Sequence, residues 1–218
     1  MTDEAGLDRP RAYCDLGTNY PLLFAEIGKL GVFDSMFSCS PVPGLEDSCA
    51  RYGAQVVAAP PDGLAAASAF EQLEHVFSPL DYLRGIHRAL AGGGLLFLTT
   101  RTISGFDLQM LWGHSPYIYA PEHLNLLSVE GIARLLERAG FEMHELSTPG
   151  QLDVELAKAA AEGDPAIPIP PFFRYVLSRR GRETLEDWQA FLQKHRLSSH
   201  ARLAAVKRPS HAGACLAR

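Results

Sequence analysis

Two of the eight histidines are candidates for proton transfer near neutral pH because of the segments in which they lie. His75 lies in the segment EQLEH, and His123 lies in the segment PEHLN. An unperturbed imidazole titrates close to neutral pH, so each is a candidate catalytic base. The competing interpretation for His75 is a hydrogen bond that fixes its loop, and for His123 it is packing beside an aromatic segment.

Polar and small residues also follow three short apolar runs. Asp15 and Gly17 end the first run, Ser40 ends the second, and Glu71 and Gln72 end a third. If these runs are parallel strands of a doubly wound sheet, their carboxyl ends face a ligand site. A glycine at a strand-to-helix turn lets a ligand approach the backbone closely. We therefore expect one cleft to be lined by Asp15, Gly17, Asn19, Ser40, Glu71 and Gln72.

The stretch 66–100 contains the elements that would position these residues. Residues 66–70 form a short, small and apolar run, which is typical of a strand buried on both faces. Pro79 suits the first turn of a helix, and apolar side chains then recur on one stripe as far as Leu90. The three glycines at 92–94 are expected to end that helix, and residues 95–100 to form a second buried strand. The stretch therefore predicts a βαβ unit with a right-handed crossover.

The same alternation extends over the rest of the chain and indicates an α/β fold. Further strands are expected at 11–16, 32–39, 54–58, 141–147 and 199–208. The connection between the third and fourth strands is too short to hold a helix. Three helices are predicted beyond the sixth strand, at 152–161, 172–177 and 185–195.

Composition and charge narrow the range of partners. The chain has 218 residues, of which 47% are apolar, enough for one sizeable core. Its formal net charge of −5 and the lack of a basic block argue against nucleic acid. The cysteines lack CxxC spacing, which favours free thiols, and the histidine and cysteine spacings predict no metal site. No signal peptide or membrane-length apolar run is apparent, so we expect a cytoplasmic protein without a membrane partner.

The segment LEHVFSPLDYLRGIHRALAGGGLLFLTT, residues 73–100, resembles the central segment of the class I S-adenosylmethionine-dependent methyltransferases. It is most similar to the branch that acts on small molecules such as quinone precursors and sugars. Asp15 and Gly17 match the family's Asp-x-Gly-x-Gly-x-Gly motif, whereas Asn19 and Pro21 replace its later glycines. Asparagine tolerates a left-handed conformation, so Asn19 is expected to preserve the turn. HLNLLS, at 123–128, resembles the family's His-x-Asn-x-aromatic-Ser segment, and the resemblance covers about residues 13–155.

This resemblance implies a Rossmann-like, doubly wound sheet of seven strands with an antiparallel last strand. It implies a domain over 11–208, with a helical insertion at about 150–198. The polar terminal segments 1–10 and 209–218 are expected to be flexible. The implied cofactor is S-adenosylmethionine, bound by Asp15, Gly17, Thr18, Asn19, Ser40, Pro41, Phe70, Glu71 and Gln72. Ser40 stands where the family has an acidic residue that binds both ribose hydroxyls. A serine cannot make that charged, bidentate contact.

The aromatic segment 101–121 follows the fifth strand and is expected to form a wall for a small-molecule acceptor. The predicted contacts are Trp112, Tyr117, Tyr119 and Asn125. The competing interpretation is that these aromatic residues only pack over the sheet. His200 lies in a polar context near the start of the last strand and is expected to be solvated.

Two functions remain open from the sequence. The first is methyl transfer from S-adenosylmethionine to a small molecule. The second is a binding or assembly role for a methyltransferase-fold protein that has lost affinity for the cofactor. A nicotinamide-binding enzyme is disfavoured because no GxGxxG follows the first strand. The sequence does not indicate the acceptor, the methylated atom or the oligomeric state.

Overall fold

The computed structural model describes residues 10–119 and 121–208. Apart from Pro10, the segments predicted to be flexible, 1–10 and 209–218, lie outside the described residues. The strands are β1 (Ala12–Leu16), β2 (Ser35–Cys39), β3 (Ala54–Val57), β4 (Leu64–Phe70), β5 (Leu90–Arg101), β6 (Phe141–Ser147) and β7 (His200–Lys207). The helices are α1 (Leu22–Lys29), α2 (Glu46–Arg51), α3 (Pro79–Ala89), α4 (Phe106–Leu111), α5 (Val129–Ala139), α6 (Asp153–Gly163), α7 (Pro171–Arg179) and α8 (Arg182–Lys194).

The strands form one seven-stranded sheet in the order β3-β2-β1-β4-β5-β7-β6. The first five strands pair in parallel, whereas β7 pairs antiparallel with both β5 and β6. This arrangement confirms the predicted Rossmann-like, doubly wound fold with an antiparallel last strand. Because β7 runs in the opposite direction, its first residue lies at the carboxyl edge of the other strands.

The β4-α3-β5 unit forms as its sequence predicts, except at the glycines. Ser78 caps α3 by accepting a hydrogen bond from the Asp81 amide at 3.4 Å, and Pro79 occupies the first turn. The prediction that the glycines at 92–94 end the helix is wrong, because α3 ends earlier and these glycines lie inside β5. The β4–β5 register moves from Leu64↔Leu90 to Ala66↔Leu95, so residues 91–94 form a bulge. The small glycines fit this bulge, and Gly93 adopts a φ of 81° there.

Helices cover the sheet unevenly. α3 and α5 pack on one face through side chains such as Leu83 and Ile132, and the residues that pack with Phe24 of α1 cover the opposite face of β1. The connection from β3 to β4 contains no helix, as expected from its length. The sheet is therefore less covered beside α3 at the β1–β2–β3 end. Among the described residues, none of the helices has both the length and the apolar character to cross a membrane.

Helices α6, α7 and α8 form a separate apolar cluster with α4 over the sheet. Phe106 of α4 packs against Phe173 and Trp188, with ring centroids 5.7 and 5.6 Å away. The buried members of this cluster are Leu111, Val154, Ala157, Ala161, Ile167, Ile169, Leu177 and Leu192. Part of the aromatic segment 101–121 therefore packs against the helices of the predicted insertion.

Asp153 joins this helical cluster to the start of β7. Its carboxylate accepts hydrogen bonds from the Ser198 hydroxyl at 2.6 Å, the Ser199 amide at 2.6 Å and the Gln189 side chain at 2.8 Å. Burial acts to raise the pKa of Asp153, but these hydrogen bonds outweigh it and lower the pKa. The ionised carboxylate therefore cross-links α6, α8 and the strand.

Replacing Asp153→Ala should destabilise the protein. The loss of charge-assisted hydrogen bonds leaves a buried amide and hydroxyl without an acceptor, and we expect a cost of about 2–4 kcal/mol. Urea unfolding measures this change, with Asp187→Ala as the control because Asp187 is an exposed acid on α8. Equal midpoints for the two variants would show that Asp153 does not anchor the cluster.

Candidate active site

The backbone turns sharply at the carboxyl ends of three neighbouring strands. Gly17 follows β1, Ser40 follows β2 and Glu71 follows β4, with φ values of 71°, 50° and 52°. The Gly17 amide donates to Cys39 O at 2.8 Å, and the Glu71 amide donates to Thr99 O at 3.0 Å. A positive φ is costly for serine and glutamate, and such strain concentrates at functional sites. These three turns lie side by side along one edge of the sheet.

Gln72 covers the turn at Gly17. Its amide nitrogen donates to Gly17 O at 3.1 Å and to Phe70 O at 3.2 Å. A Cβ atom at position 17 would overlap the Gln72 side chain. The absent Cβ therefore leaves a space at the cleft that the Gln72 amide fills.

The side chains of Asp15 and Thr18 are buried and contact neighbouring strands rather than the cleft. Asp15 is 3% exposed and accepts a hydrogen bond from Ser68, while the Thr18 hydroxyl lies 2.8 Å from the Ser38 hydroxyl. Burial raises the pKa of Asp15 to about 6, although hydrogen bonds from Ser68 and Thr18 act to lower it. These two side chains join strands below the cleft.

The remaining predicted cofactor residues surround the three turns. The Ser40 side chain is exposed, and Pro41 and Phe70 are half-buried. The expectation that Asn19 takes a left-handed conformation is wrong, because Gly17 is the position of this turn that has a positive φ. Gly17 alone reverses the chain at the end of β1, so no left-handed residue is required at Asn19.

A groove of about 430 Å³ runs along α3 from the ends of β1 and β2. Leu16, Cys39, Asp62, Asp81 and Tyr82 are among its lining residues. It lies where the helix-free connection between β3 and β4 leaves the sheet less covered. Tyr82 packs against the apolar core on the α3 side of the sheet, so the groove has an apolar floor, and its walls carry Asp62, Asp81 and Arg88.

The two candidate histidines form a pair. Their ring centroids lie 5.1 Å apart, and His75 Nδ1 lies 2.8 Å from Glu122 O. His123 Nδ1 is buried and has no hydrogen-bond partner among the described residues. Burial lowers the pKa of His123, and the neighbouring His75 lowers it further. His123 is therefore neutral at neutral pH and able to accept a proton.

Asn125 holds its segment against the loop that follows β4. Its side-chain amide donates to Val76 O at 2.5 Å, and its backbone amide donates to Glu74 O at 3.1 Å. The amide of Leu124 donates to the same oxygen at 2.7 Å. These contacts fix the position of the adjacent His123.

A cavity of about 370 Å³ lies beyond β5, β6 and the start of β7. We call it the acceptor-side cavity, and its polar lining comprises Arg101, Tyr117, Gln151, Asp153, Ser199 and His200. Of the predicted acceptor contacts, Tyr117 lies here, whereas Trp112 and Tyr119 are 62% and 58% exposed. The cavity adjoins the cleft, since His200 Nδ1 lies 3.4 Å from Glu71 Oε1.

Sequence reasoning missed Arg101 and His200 as site residues. His200 was expected to be solvated, yet it lines the cavity and contacts Glu71. Both residues lie at the carboxyl edge, Arg101 as the last residue of β5 and His200 as the first of the antiparallel β7, and they are register partners. The strand-end rule that selected Ser40 could therefore have found both.

Comparison with known proteins identifies the family. Residues 2–146 match the model of a family described as a methyltransferase domain. The chain belongs to this methyltransferase family. The match confirms the family that the segment at 73–100 predicts, and methyltransferases with the same fold agree with it. A search of curated proteins found no match.

Solved structures of methyltransferases share the fold at low sequence identity. An S-adenosylmethionine-dependent methyltransferase from Mesorhizobium loti matches with a TM-score of 0.55 and 14% identity, over 90% of this chain and 91% of that one. Geranyl diphosphate C-methyltransferase from Streptomyces coelicolor, solved with Mg²⁺, geranyl diphosphate and S-adenosylhomocysteine, matches with a TM-score of 0.54 and 14% identity, over 90% and 71%. Phosphoethanolamine N-methyltransferase 2 from Haemonchus contortus, solved with S-adenosylhomocysteine, matches with a TM-score of 0.55 and 15% identity, over 92% and 49%.

The overlap at Gly17 gives a stability prediction. Gly17→Ala should destabilise this methyltransferase by about 1–3 kcal/mol, because alanine is strained at a φ of 71° and its Cβ overlaps Gln72. The double variant Gly17→Ala/Gln72→Ala should recover the part due to overlap. Thermal unfolding of the wild type, both single variants and the double variant separates the cost of the strained backbone from the cost of the Cβ overlap. If the stability changes of the two single variants add up to that of the double variant, Gln72 does not pack over Gly17.

Burial of Asp15 gives a pH prediction. The folded protein holds the Asp15 proton up to about pH 6, whereas an unfolded chain releases it near pH 4. This residue therefore makes the free energy of unfolding fall as the pH rises from about 4 to 6. Asp15→Asn should therefore change the free energy of unfolding, relative to wild type, more favourably at pH 8 than at pH 4. The two changes should differ by up to about 3 kcal/mol.

Denaturant unfolding at the two pH values measures this difference. Asp47→Asn removes an exposed carboxylate from α2 and is the control. The interpretation fails if Asp15→Asn changes stability by the same amount at pH 4 and pH 8.

Proposed function

We propose that this protein transfers a methyl group from S-adenosylmethionine to a small-molecule acceptor. The observation that carries the proposal is the row of left-handed turns at Gly17, Ser40 and Glu71 beside the acceptor-side cavity. Open α/β sheets bind ligands at this edge, where strand order reverses. Here β1 lies between β2 and β4, which makes the β1–β4 boundary such a point.

Features of the cleft fit S-adenosylmethionine. The missing Cβ at Gly17 allows close approach to the backbone once the Gln72 amide moves. The exposed hydroxyl of Ser40 can offer one hydrogen bond to a ribose, and the groove along α3 can take an adenine ring. When bound, the cofactor supplies an electrophilic methyl group for an in-line displacement. The protein contributes orientation and exclusion of water.

The acceptor-side cavity limits the size of the acceptor. Its volume of about 370 Å³ lies within the range of small-molecule pockets. The net charge of −5 gives no electrostatic reason to expect nucleic acid. A small molecule of the quinone-precursor or sugar type remains our expectation for the acceptor.

His123 is our candidate to take a proton from the acceptor. Its pKa is lowered by burial and by His75, which keeps the imidazole in the basic form at neutral pH. Asn125 and Leu124 fix its backbone through Glu74 O. His75 contacts Glu122 O and packs against His123, so we assign it a positioning role.

A binding or assembly subunit without activity is the second candidate. It is favoured by Ser40 in place of a carboxylate and by the Gln72 amide over Gly17. The intact loop after β4 and the adjoining cavity favour the enzyme. Titration with the cofactor product separates the two functions.

The protein should bind S-adenosylhomocysteine, and Ser40→Asp should tighten that binding. A charge-assisted hydrogen bond to the ribose is worth about 1.5–3 kcal/mol, which corresponds to about ten- to over a hundredfold in affinity. Aspartate tolerates the left-handed φ of 50° at this position. Isothermal titration calorimetry at fixed salt and pH measures the change.

Ser40→Asn is the matched control, because it has the shape of aspartate without the charge. Weak binding by Ser40→Asn together with tight binding by Ser40→Asp supports ribose recognition at position 40. No binding by any form supports the inactive subunit. Tight wild-type binding that Ser40→Asp leaves unchanged or weakens would show that other groups hold the cofactor.

A further inference from the structure

We propose that Arg101 in the acceptor-side cavity binds a carboxylate or phosphate group of the methyl acceptor. The inference rests on the proposed function and narrows its acceptor to an anionic small molecule. It comes from the position of Arg101, from its free donors and from the chemistry of its neighbours.

Arg101 is held in place by the sheet and by an aromatic ring. As the last residue of β5 it faces its antiparallel register partner His200, and both side chains line the cavity. Its guanidinium carbon lies 3.4 Å from the centroid of the Tyr117 ring. Stacking of this kind uses the flat face of the guanidinium and leaves its N–H edge free for hydrogen bonds. The group is thus oriented before a ligand binds.

The side-chain donors of Arg101 have no acceptor in the part of the chain that the structure describes. Within residues 10–119 and 121–208, its side chain makes no salt bridge and donates no hydrogen bond. Arg202 on the neighbouring strand, by contrast, pairs with Glu145 at 3.1 Å. Arginine carries five N–H donors in a fork that matches carboxylate and phosphate oxygens. A half-buried guanidinium with free donors is suited to an anionic ligand.

The two carboxylates beside the cavity are directed to groups other than Arg101, although Glu71 Oε1 has no hydrogen-bond partner among the described residues. Asp153 accepts hydrogen bonds from Ser198, the Ser199 amide and Gln189. Glu71 Oε1 faces His200 Nδ1 at 3.4 Å. Neither carboxylate pairs with Arg101, so the guanidinium charge is available to a ligand.

The location agrees with a role in holding the acceptor. His200 links the Arg101 side of the cavity to Glu71, which follows β4 at the edge of the cofactor cleft. An anionic group bound at Arg101 would leave the rest of a small acceptor directed towards Glu71. The cavity of about 370 Å³ has room for such a molecule.

Inorganic phosphate and acetate are the probes, each titrated into the full chain at constant ionic strength with chloride as the balancing anion. Two-dimensional ¹H–¹⁵N spectra report the amides of Gln151, Ser199 and His200. At least one probe should shift these signals saturably. Arg101→Met should weaken that binding about tenfold or more, and Arg101→Lys less, because lysine keeps the charge but loses the fork. The probe that binds more tightly distinguishes a phosphate from a carboxylate on the acceptor.

Arg84→Met is the matched control, because it removes the same charge from the exposed face of α3. An unchanged response in Arg101→Met, or no saturable shift with either anion, would overturn the proposal. If Arg101→Met fails to fold, the folded Arg101→Lys variant decides by the same criterion of weaker binding. The titrations are repeated with S-adenosylhomocysteine. If the protein binds the cofactor product but neither anion, the proposal of an anionic acceptor is wrong and the methyltransferase function still stands. If it binds an anion but not the cofactor product, the proposed methyltransferase function is wrong.

Discussion

The pairing of β1 with β4 is the constraint on which the candidate site depends. These strands are adjacent in the sheet but far apart in the chain, and Asp15 and Ser68 are register partners in them. The Ser68 hydroxyl donates to Asp15 and also contacts the Tyr13 hydroxyl, so a buried polar chain fixes the register. A slip of one strand by one residue would move its side chains to the opposite face of the sheet and separate these groups. This register also brings Gly17, which follows β1, next to Gln72, which follows β4.

Several features of the candidate site destabilise the folded protein. Asp15 is a buried carboxyl with a raised pKa, and Ser40 and Glu71 have strained backbones. Each feature is unfavourable alone and persists because the surrounding sheet determines it. Burial of apolar side chains on both faces of β1 supplies the compensating free energy. The base of the cleft therefore consists of buried, hydrogen-bonded groups, and two amide hydrogen bonds hold the Gln72 side chain above Gly17.

The helices beyond β6 complete the other half of the site. Asp153 fixes their position relative to the start of β7 and at the same time lines the acceptor-side cavity. Arg101 and His200 come from strands that are antiparallel, so both reach the cavity from the same edge of the sheet. The structure thus places an anchored carboxylate, a stacked guanidinium and an imidazole around one small volume.

The sequence determined the fold and the positions of the strand ends. Buried strands have apolar runs and helices have caps and stripes, so the order of elements could be predicted from local patterns, whereas the antiparallel direction of β7 followed from the resemblance to the methyltransferase family. The glycines at 92–94 were misassigned, because a bulge depends on the register with Leu64 on another strand.

Tertiary structure decided which strand-end side chains face a ligand. Thr18 and Asp15 follow the same pattern as Ser40, yet they turn inwards to Ser38 and Ser68. Asn125 bonds to the loop after β4, and His200 reaches Glu71 across the sheet. Spacing along the chain reports backbone conformation and burial. The direction and partner of a polar group depend on residues that only the packed sheet brings together.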